Sequence, residues 1–260
     1  LDNLFNNIGL LLLTITLGGC SEPDVHKQSK SIAFLTASTV NVNATKALNY
    51  EKFTKPTTVP TTNIERQALL KSLNIKTDST IDERRLALFV RYTYFANSQD
   101  RQLNTLEQLV GEIANMRKSR PDDHELTALY GSATCLQTVF FLDNLGKTNL
   151  LSKKGSRYLD RAVKSAPNHL GVRLYRGITY AEMPAFLGKG RQAVADFTLI
   201  KSATNSQTDE KFTAMVDYYY AMALLKNQQQ NNGLELLAAL VDKNIVPWSA
   251  RAATLLKDKG

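Results

Sequence analysis

RPDDHELTALYGSAT (residues 120–134) and APNHLGVRLYRGITY (residues 166–180) follow one plan. In each, a proline precedes a polar residue and an apolar-periodic run, with glycine ten residues after the proline: Pro121 to Gly131, and Pro167 to Gly177. Asp122, with Glu125 three residues later, and Asn168 suit helix starts, because their short side chains can accept hydrogen bonds from the free amides of a first turn. The glycines then fall inside helices, where each costs about 1 kcal/mol relative to alanine. Close approach of a second helix is the natural compensation.

The pattern extends in both directions. Gly155, Leu159, Ala162 and Pro167 form a second half-unit, and Leu109, Ile113, Met116 and Pro121 are a weaker copy of it. Downstream, Ala193 with Phe197, and Ala221 with Gly233 and Leu237, continue the register. A short helix is expected from Ile64, ending before Asn74; the helical signal is continuous from Ile81, and a last helix runs from Trp248 to Lys257. The expected fold class is all-α: paired helices over residues 63–246 and a capping helix within 247–260.

Small, large, Ala and Pro at these offsets, followed by Gly177 and Tyr180, resemble helix B and the next helix A of a tetratricopeptide repeat. The resemblance covers about residues 81–243 and implies an irregular superhelix of three to four helical hairpins. Repeats of that family run roughly 34 residues, whereas Gly131 and Gly177 lie 46 apart and the signature tryptophan is missing. The extra length is expected as an enlarged loop at residues 143–149, with a smaller insertion at 182–190.

The N-terminal end reads differently. The apolar run ending at Leu17 is about ten residues long, half of what a membrane-spanning helix needs, and matches the core of a secretory signal. Leu17-Gly18-Gly19-Cys20, followed by polar Ser21-Glu22-Pro23-Asp24, resembles the lipobox of bacterial lipoproteins. That resemblance implies a signal peptide over residues 1–19, acylation of Cys20, and membrane attachment through its lipid, since more than one acyl chain holds stably. Ser21 in place of aspartate favours the outer membrane, facing the periplasm, in a Gram-negative source. Leu1-Asp2-Asn3 lacks the Met and basic residues of such signals, so residues before Leu1 are expected. Residues 20–62, rich in Ser, Thr, Asn and Lys, read as a flexible tether, with a short apolar docking or strand segment at Ile32-Ala33-Phe34-Leu35. About forty residues can extend on the order of 130 Å.

A formal charge of +8 favours acidic partners such as anionic lipid head groups or an acidic protein face. Its basic residues are scattered, and an exported chain does not meet nucleic acid, so no nucleic-acid partner is expected. Acylation of Cys20 leaves Cys135 alone, a buried helical thiol with no disulfide partner. His26 lies in the tether, and His124 and His169 sit at helix starts. Asp122-Asp123-His124-Glu125 point in different directions on a helix, so capping explains them better than a metal does. There is no HExxH, CxxC or GxSxG pattern, and neither an enzyme nor a cofactor is expected. Gly188-Lys189-Gly190-Arg191 lacks phosphate-loop spacing; Lys189 and Arg191 remain candidate anion contacts.

Stacked helical pairs make a concave groove lined by the first helix of each pair. The repeat resemblance carries groove positions to Glu125, Ser132 and Cys135, then Leu174, Ile178 and Glu182, then Tyr218, Met222 and Lys226. Two functions follow from it. One is a lipid-anchored scaffold that binds another envelope protein or peptide in the groove. The other is an accessory lipoprotein of a TRAP-type solute transporter, holding a small or hydrophobic ligand; a closed apolar cavity or a ring-shaped oligomer favours this second reading. An envelope hydrolase would need a buried titratable pair in a cleft.

Overall fold

The computed structural model describes residues 53–204 and 208–258. Among them the chain is all-α, with ten helices. These are α1 (Asn63–Leu73), α2 (Ile81–Ala96), α3 (Leu103–Ser119), α4 (His124–Leu136), α5 (Leu145–Ser165), α6 (Leu170–Glu182), α7 (Gly190–Ala203), α8 (Glu210–Lys226), α9 (Gln230–Asp242) and α10 (Trp248–Lys257). Short 3-10 turns at Gln137–Phe140 and Ala185–Leu187 follow α4 and α6. None of the described helices is long and apolar enough to cross a membrane.

Local chemistry sets the helix starts. Thr62 with Glu65 and Thr80 with Glu83 form reciprocal capping boxes on α1 and α2. The caps of α4 and α6 lie one residue later than Asp122 and Asn168. Asp123 accepts from the Leu126 amide at 2.9 Å, and His169 Nδ1 from the Val172 amide at 3.4 Å. The prolines explain the shift, because each occupies the second position of a turn closed by Asp123 N–H to Arg120 O and His169 N–H to Ala166 O. That turn consumes Asp122 and Asn168 before the helix begins. The loop expected at residues 143–149 is also largely absent: Asn144 caps Lys147, and Leu145 onward is helix, so the extra length becomes additional turns of a 21-residue α5. The insertion at 182–190 is a 3-10 turn ending at Gly188, whose φ of 65° suits glycine.

Sequential helices pack in pairs, α4 with α5, α6 with α7 and α8 with α9, while α4, α6 and α8 also touch in succession. One core, around Leu159, Tyr180, Phe197 and Tyr218, runs through α4 to α10; a second, around Phe89, Ile113 and Leu129, joins α2, α3 and α4. Tyr175 packs against both.

The glycines mark where backbones meet. A Cβ on Gly131 would stand 2.8 Å from Gly155 O and 2.9 Å from Leu159 Cγ; one on Gly155 would stand 2.6 Å from Gly131 O and closer still to Cys135 Sγ. The α4–α5 pair therefore needs glycine on both helices.

Two long-range features frame the interior. Residues 53–62, expected as tether, are docked: Thr54 pairs with His169, Leu170 N–H donates to Thr54 O at 3.0 Å, and Thr57 N–H donates to Glu125 at 2.9 Å. Residues 1–52, with the signal peptide, Cys20 and the segment 32–35, lie outside the described residues. The far ends of the helical region also touch, through Arg251 to Asn97 at 3.4 Å and Lys211 to Glu65 at 3.3 Å.

Substituting glycines in different environments should change stability in opposite directions. Gly111 in α3 has nothing within 4 Å of its would-be Cβ, so Gly111→Ala should stabilise by up to about 1 kcal/mol. Gly131→Ala and Gly155→Ala should each destabilise by about 1–3 kcal/mol through overpacking. Urea-denaturation midpoints on the three variants distinguish the signs.

Candidate functional site

Residues of α2, α4, α6 and α8 and of the start of α5 line a common cavity of about 440 Å3, to which Arg66 of α1 and Trp248 and Arg251 of α10 also contribute. Its size falls within the range of small-molecule sites, roughly 300–1,000 Å3. The lining is mainly apolar. Leu142, Leu145, Phe186 and Leu187 belong to it and are nevertheless exposed, Leu145 by 72% and Phe186 by 70%, so they form a greasy rim at its opening.

One wall carries a directional chain of hydroxyls. Thr179 donates to the Tyr175 carbonyl at 2.7 Å; Ser132 therefore donates to Thr179 at 2.7 Å, and Tyr92 donates to Ser132 at 2.7 Å. The Tyr92 proton is thus committed within the protein, and burial pushes this phenol well above its ordinary range. Burial likewise pushes the Cys135 thiol up to about 12, so the sulfur in the wall is a neutral thiol rather than a nucleophilic thiolate.

The opposite end is cationic. Arg66 is 3% exposed; its Nη1 and Nη2 donate to Asn63 Oδ1 at 2.7 Å and Thr61 O at 3.0 Å, while its Nε has no partner. Desolvation lowers its pKa to about 10, which still leaves it charged at neutral pH. Trp248 is 2% exposed, lies against Tyr218 and Tyr219, and has an unpartnered indole N–H. The Arg251 guanidinium lies 4.8 Å from the centroid of the Trp248 ring. Arg101, lowered by desolvation and felt electrostatically by Glu182, adds a third unpartnered nitrogen to the lining.

Of the nine groove positions, Ser132, Cys135, Ile178 and Glu182 line the cavity. The other five lie elsewhere. Tyr218 is 1% exposed and packed in the core, because its ring stands against Tyr219 and Trp248. Leu174 and Met222 pack against the same core, and Lys226 donates to Glu182 O at 3.1 Å and to Met183 O, tying α8 to the end of α6. Glu125 is buried where the docked segment crosses α4, held by Thr57 and by Arg85 at 2.9 Å. Of the candidate anion contacts, Lys189 pairs with Asp160 at 3.7 Å and covers the Tyr180 ring, while Arg191 is exposed. Within Asp122-Asp123-His124-Glu125, Asp123 caps α4 while Glu125 is held by Thr57 and Arg85.

Neither a family model, nor a curated protein, nor a solved structure matches this chain.

Sequence reading did not single out Arg66, Arg101 or Arg251. Arg66 gave no usable signal: on α1 it faces inward while neighbouring Ile64 is 83% exposed, the reverse of an amphipathic pattern. Trp248, the single tryptophan of the chain, entered only as the first residue of the capping helix.

Beside the cavity, Arg85 clasps Asp123 at 2.5 and 3.0 Å as well as Glu125. Burial alone would raise the Asp123 carboxyl, but the Arg85 hydrogen bonds and charge, with the Leu126 amide, outweigh it and hold the pKa below its ordinary range. A depressed carboxylate pKa stabilises the fold above the unfolded-state value near 4 and loses that contribution as pH falls through the folded value. Asp123→Asn, which can still cap α4, should cost about 1–2 kcal/mol at pH 7. Its unfolding free energy should also fall less than that of the wild type between pH 5 and pH 3, as read from urea titrations at each pH.

Proposed function

We propose that this protein is a membrane-anchored, tetratricopeptide-like helical-repeat lipoprotein that binds a small amphipathic ligand in the cavity between its helices. The observation that carries this reading is the cavity itself: about 440 Å3, mainly apolar, and built from α2, α4, α6 and α8 with parts of α1, α5 and α10. A peptide-binding scaffold needs a trough open along its length. Here Arg66 of α1, Leu145 and Ser152 of α5, and Trp248 and Arg251 of α10 join the inner helices in the lining, so the hollow is bounded by more than one row of helices. The cavity is thus better suited to a molecule that enters whole than to a strand or helix laid across it.

The repeat assignment rests on the succession of pairs and on the glycine and alanine contacts between them. Anchoring rests on Leu17-Gly18-Gly19-Cys20, and a role beside a solute transporter of the envelope is consistent with both. The exposed rim of Leu142, Leu145, Phe186 and Leu187 supports a second reading, a contact face for an envelope protein that delivers or receives the ligand. We assign the site a binding role.

Nile red, an uncharged apolar dye, should bind the purified full chain saturably at one site, with a blue-shifted emission. Ile178 lines the cavity, so Ile178→Trp should fill it and weaken binding about tenfold or more without changing helicity. Unsaturable dye uptake, or binding unaffected by the substitution, would overturn the cavity reading. Separately, Cys20→Ser should move the protein from the membrane fraction to the soluble fraction of its host cells; retention in the membrane rejects the anchor.

A further inference from the structure

Buried polar atoms in a folded protein almost always have a partner. Among the described residues five buried side-chain nitrogen or oxygen atoms do not, and three of them, Arg66 Nε, Arg101 Nη1 and Trp248 Nε1, belong to residues lining the same cavity. All three are nitrogens of donor-only groups.

The two most buried donors stand in one cluster. Trp248 touches Tyr219 and Arg251, and Arg66 is acted on electrostatically by those same two residues. Arg66 and Arg251 repel one another, and the carboxylate that reaches Arg66, Glu65, lies on the outer face, capping α1 and paired with Lys211. Glu182, by contrast, acts on Arg101 and Tyr92. Among the described residues, neither Arg66 nor Arg251 forms a salt bridge, so no carboxylate is paired directly with this cluster. Burying cationic donors this way is costly unless something accepts from them, and an oxyanion is the acceptor that satisfies both the charge and the hydrogen bonds.

The same lining also carries apolar Leu136 and Met183 and the exposed Leu145 and Phe186. We propose that the ligand is a single-chain amphiphile with an oxyanion head, the head held by Arg66 and Trp248 with Arg251 beside them and the chain running toward the Leu145–Phe186 rim. This rests on the cavity reading above and adds to it the sign and place of the ligand's charge.

The test compares four ten-carbon probes on the full chain, each by displacement of Nile red: decanoate, decyl phosphate, decanol and decyltrimethylammonium. Decanoate, decyl phosphate or both should bind about tenfold or more tightly than decanol, with the cation weakest. Whichever anion binds better identifies a carboxylate or a phosphate head. Arg66→Gln should weaken the preferred anion about tenfold and Trp248→Phe about threefold to fivefold, leaving decanol unchanged. Trp248→Phe keeps an aromatic ring against Tyr218 and Tyr219 and removes only the N–H, so it carries the test if Arg66→Gln does not fold. Decanol binding as tightly as both anions, or tighter binding of the cation, overturns the oxyanion head while leaving the cavity reading in place. Failure of Nile red itself to bind overturns the cavity reading instead.

Discussion

Backbone contact between α4 and α5 at Gly131 and Gly155 is the constraint on which the rest of the architecture depends. Only glycine lets the two helices come this close, and the distances to Gly131 O, Gly155 O and Leu159 leave no space for a methyl group on either. This approach fixes where the buried Ser132 and Cys135 stand on α4. α6 then packs on α4 and α8 on α6. A set of inner helices spaced this way leaves a hollow along their shared side, and the hollow is where the unsatisfied cationic groups are found.

The site combines two chemistries that are separately common. Its hydroxyl chain through Tyr92, Ser132 and Thr179 is internally satisfied and ends on a backbone carbonyl, so it holds α2, α4 and α6 in register without offering a proton outward. The Arg66, Arg251 and Trp248 cluster is the opposite: Arg66 and Trp248 are buried donors, and neither arginine forms a salt bridge among the described residues. Rigid donors lose little entropy when an acceptor arrives. The apolar lining beyond them gives a ligand's body a dry surface, while the exposed rim suggests how an amphiphile enters.

Much of the fold was legible because it is written locally. The ten-residue spacing from Pro121 to Gly131 and from Pro167 to Gly177, and the limits of the last helix at Trp248 and Lys257, follow from helix geometry and needed no partner to interpret. The starts at Asp123 and His169 were misplaced by one residue because proline turns also consume sequence. The 143–149 stretch was misread because polar residues such as Asn144 and Thr148 serve a helix start as well as they serve a loop. Of the candidate site, four of the nine groove positions came through the repeat register. The cationic cluster did not, because the inward turn of Arg66 and the meeting of Arg251 with Asn97 arise from contacts between segments far apart in the chain.

The link from Arg251 to Asn97 joins positions 154 residues apart. A row of stacked hairpins with free tips unravels from either end, each unit leaving with little effect on those further along. Joining the first and last parts removes that freedom: peeling off α10 would open the chamber and strip Trp248 and Arg251 from it in a single event. Occupancy of the interior and integrity of the whole molecule are thereby coupled, and a tightly held guest would act as a clasp, slowing the loss of the terminal helix by the free energy of its own binding.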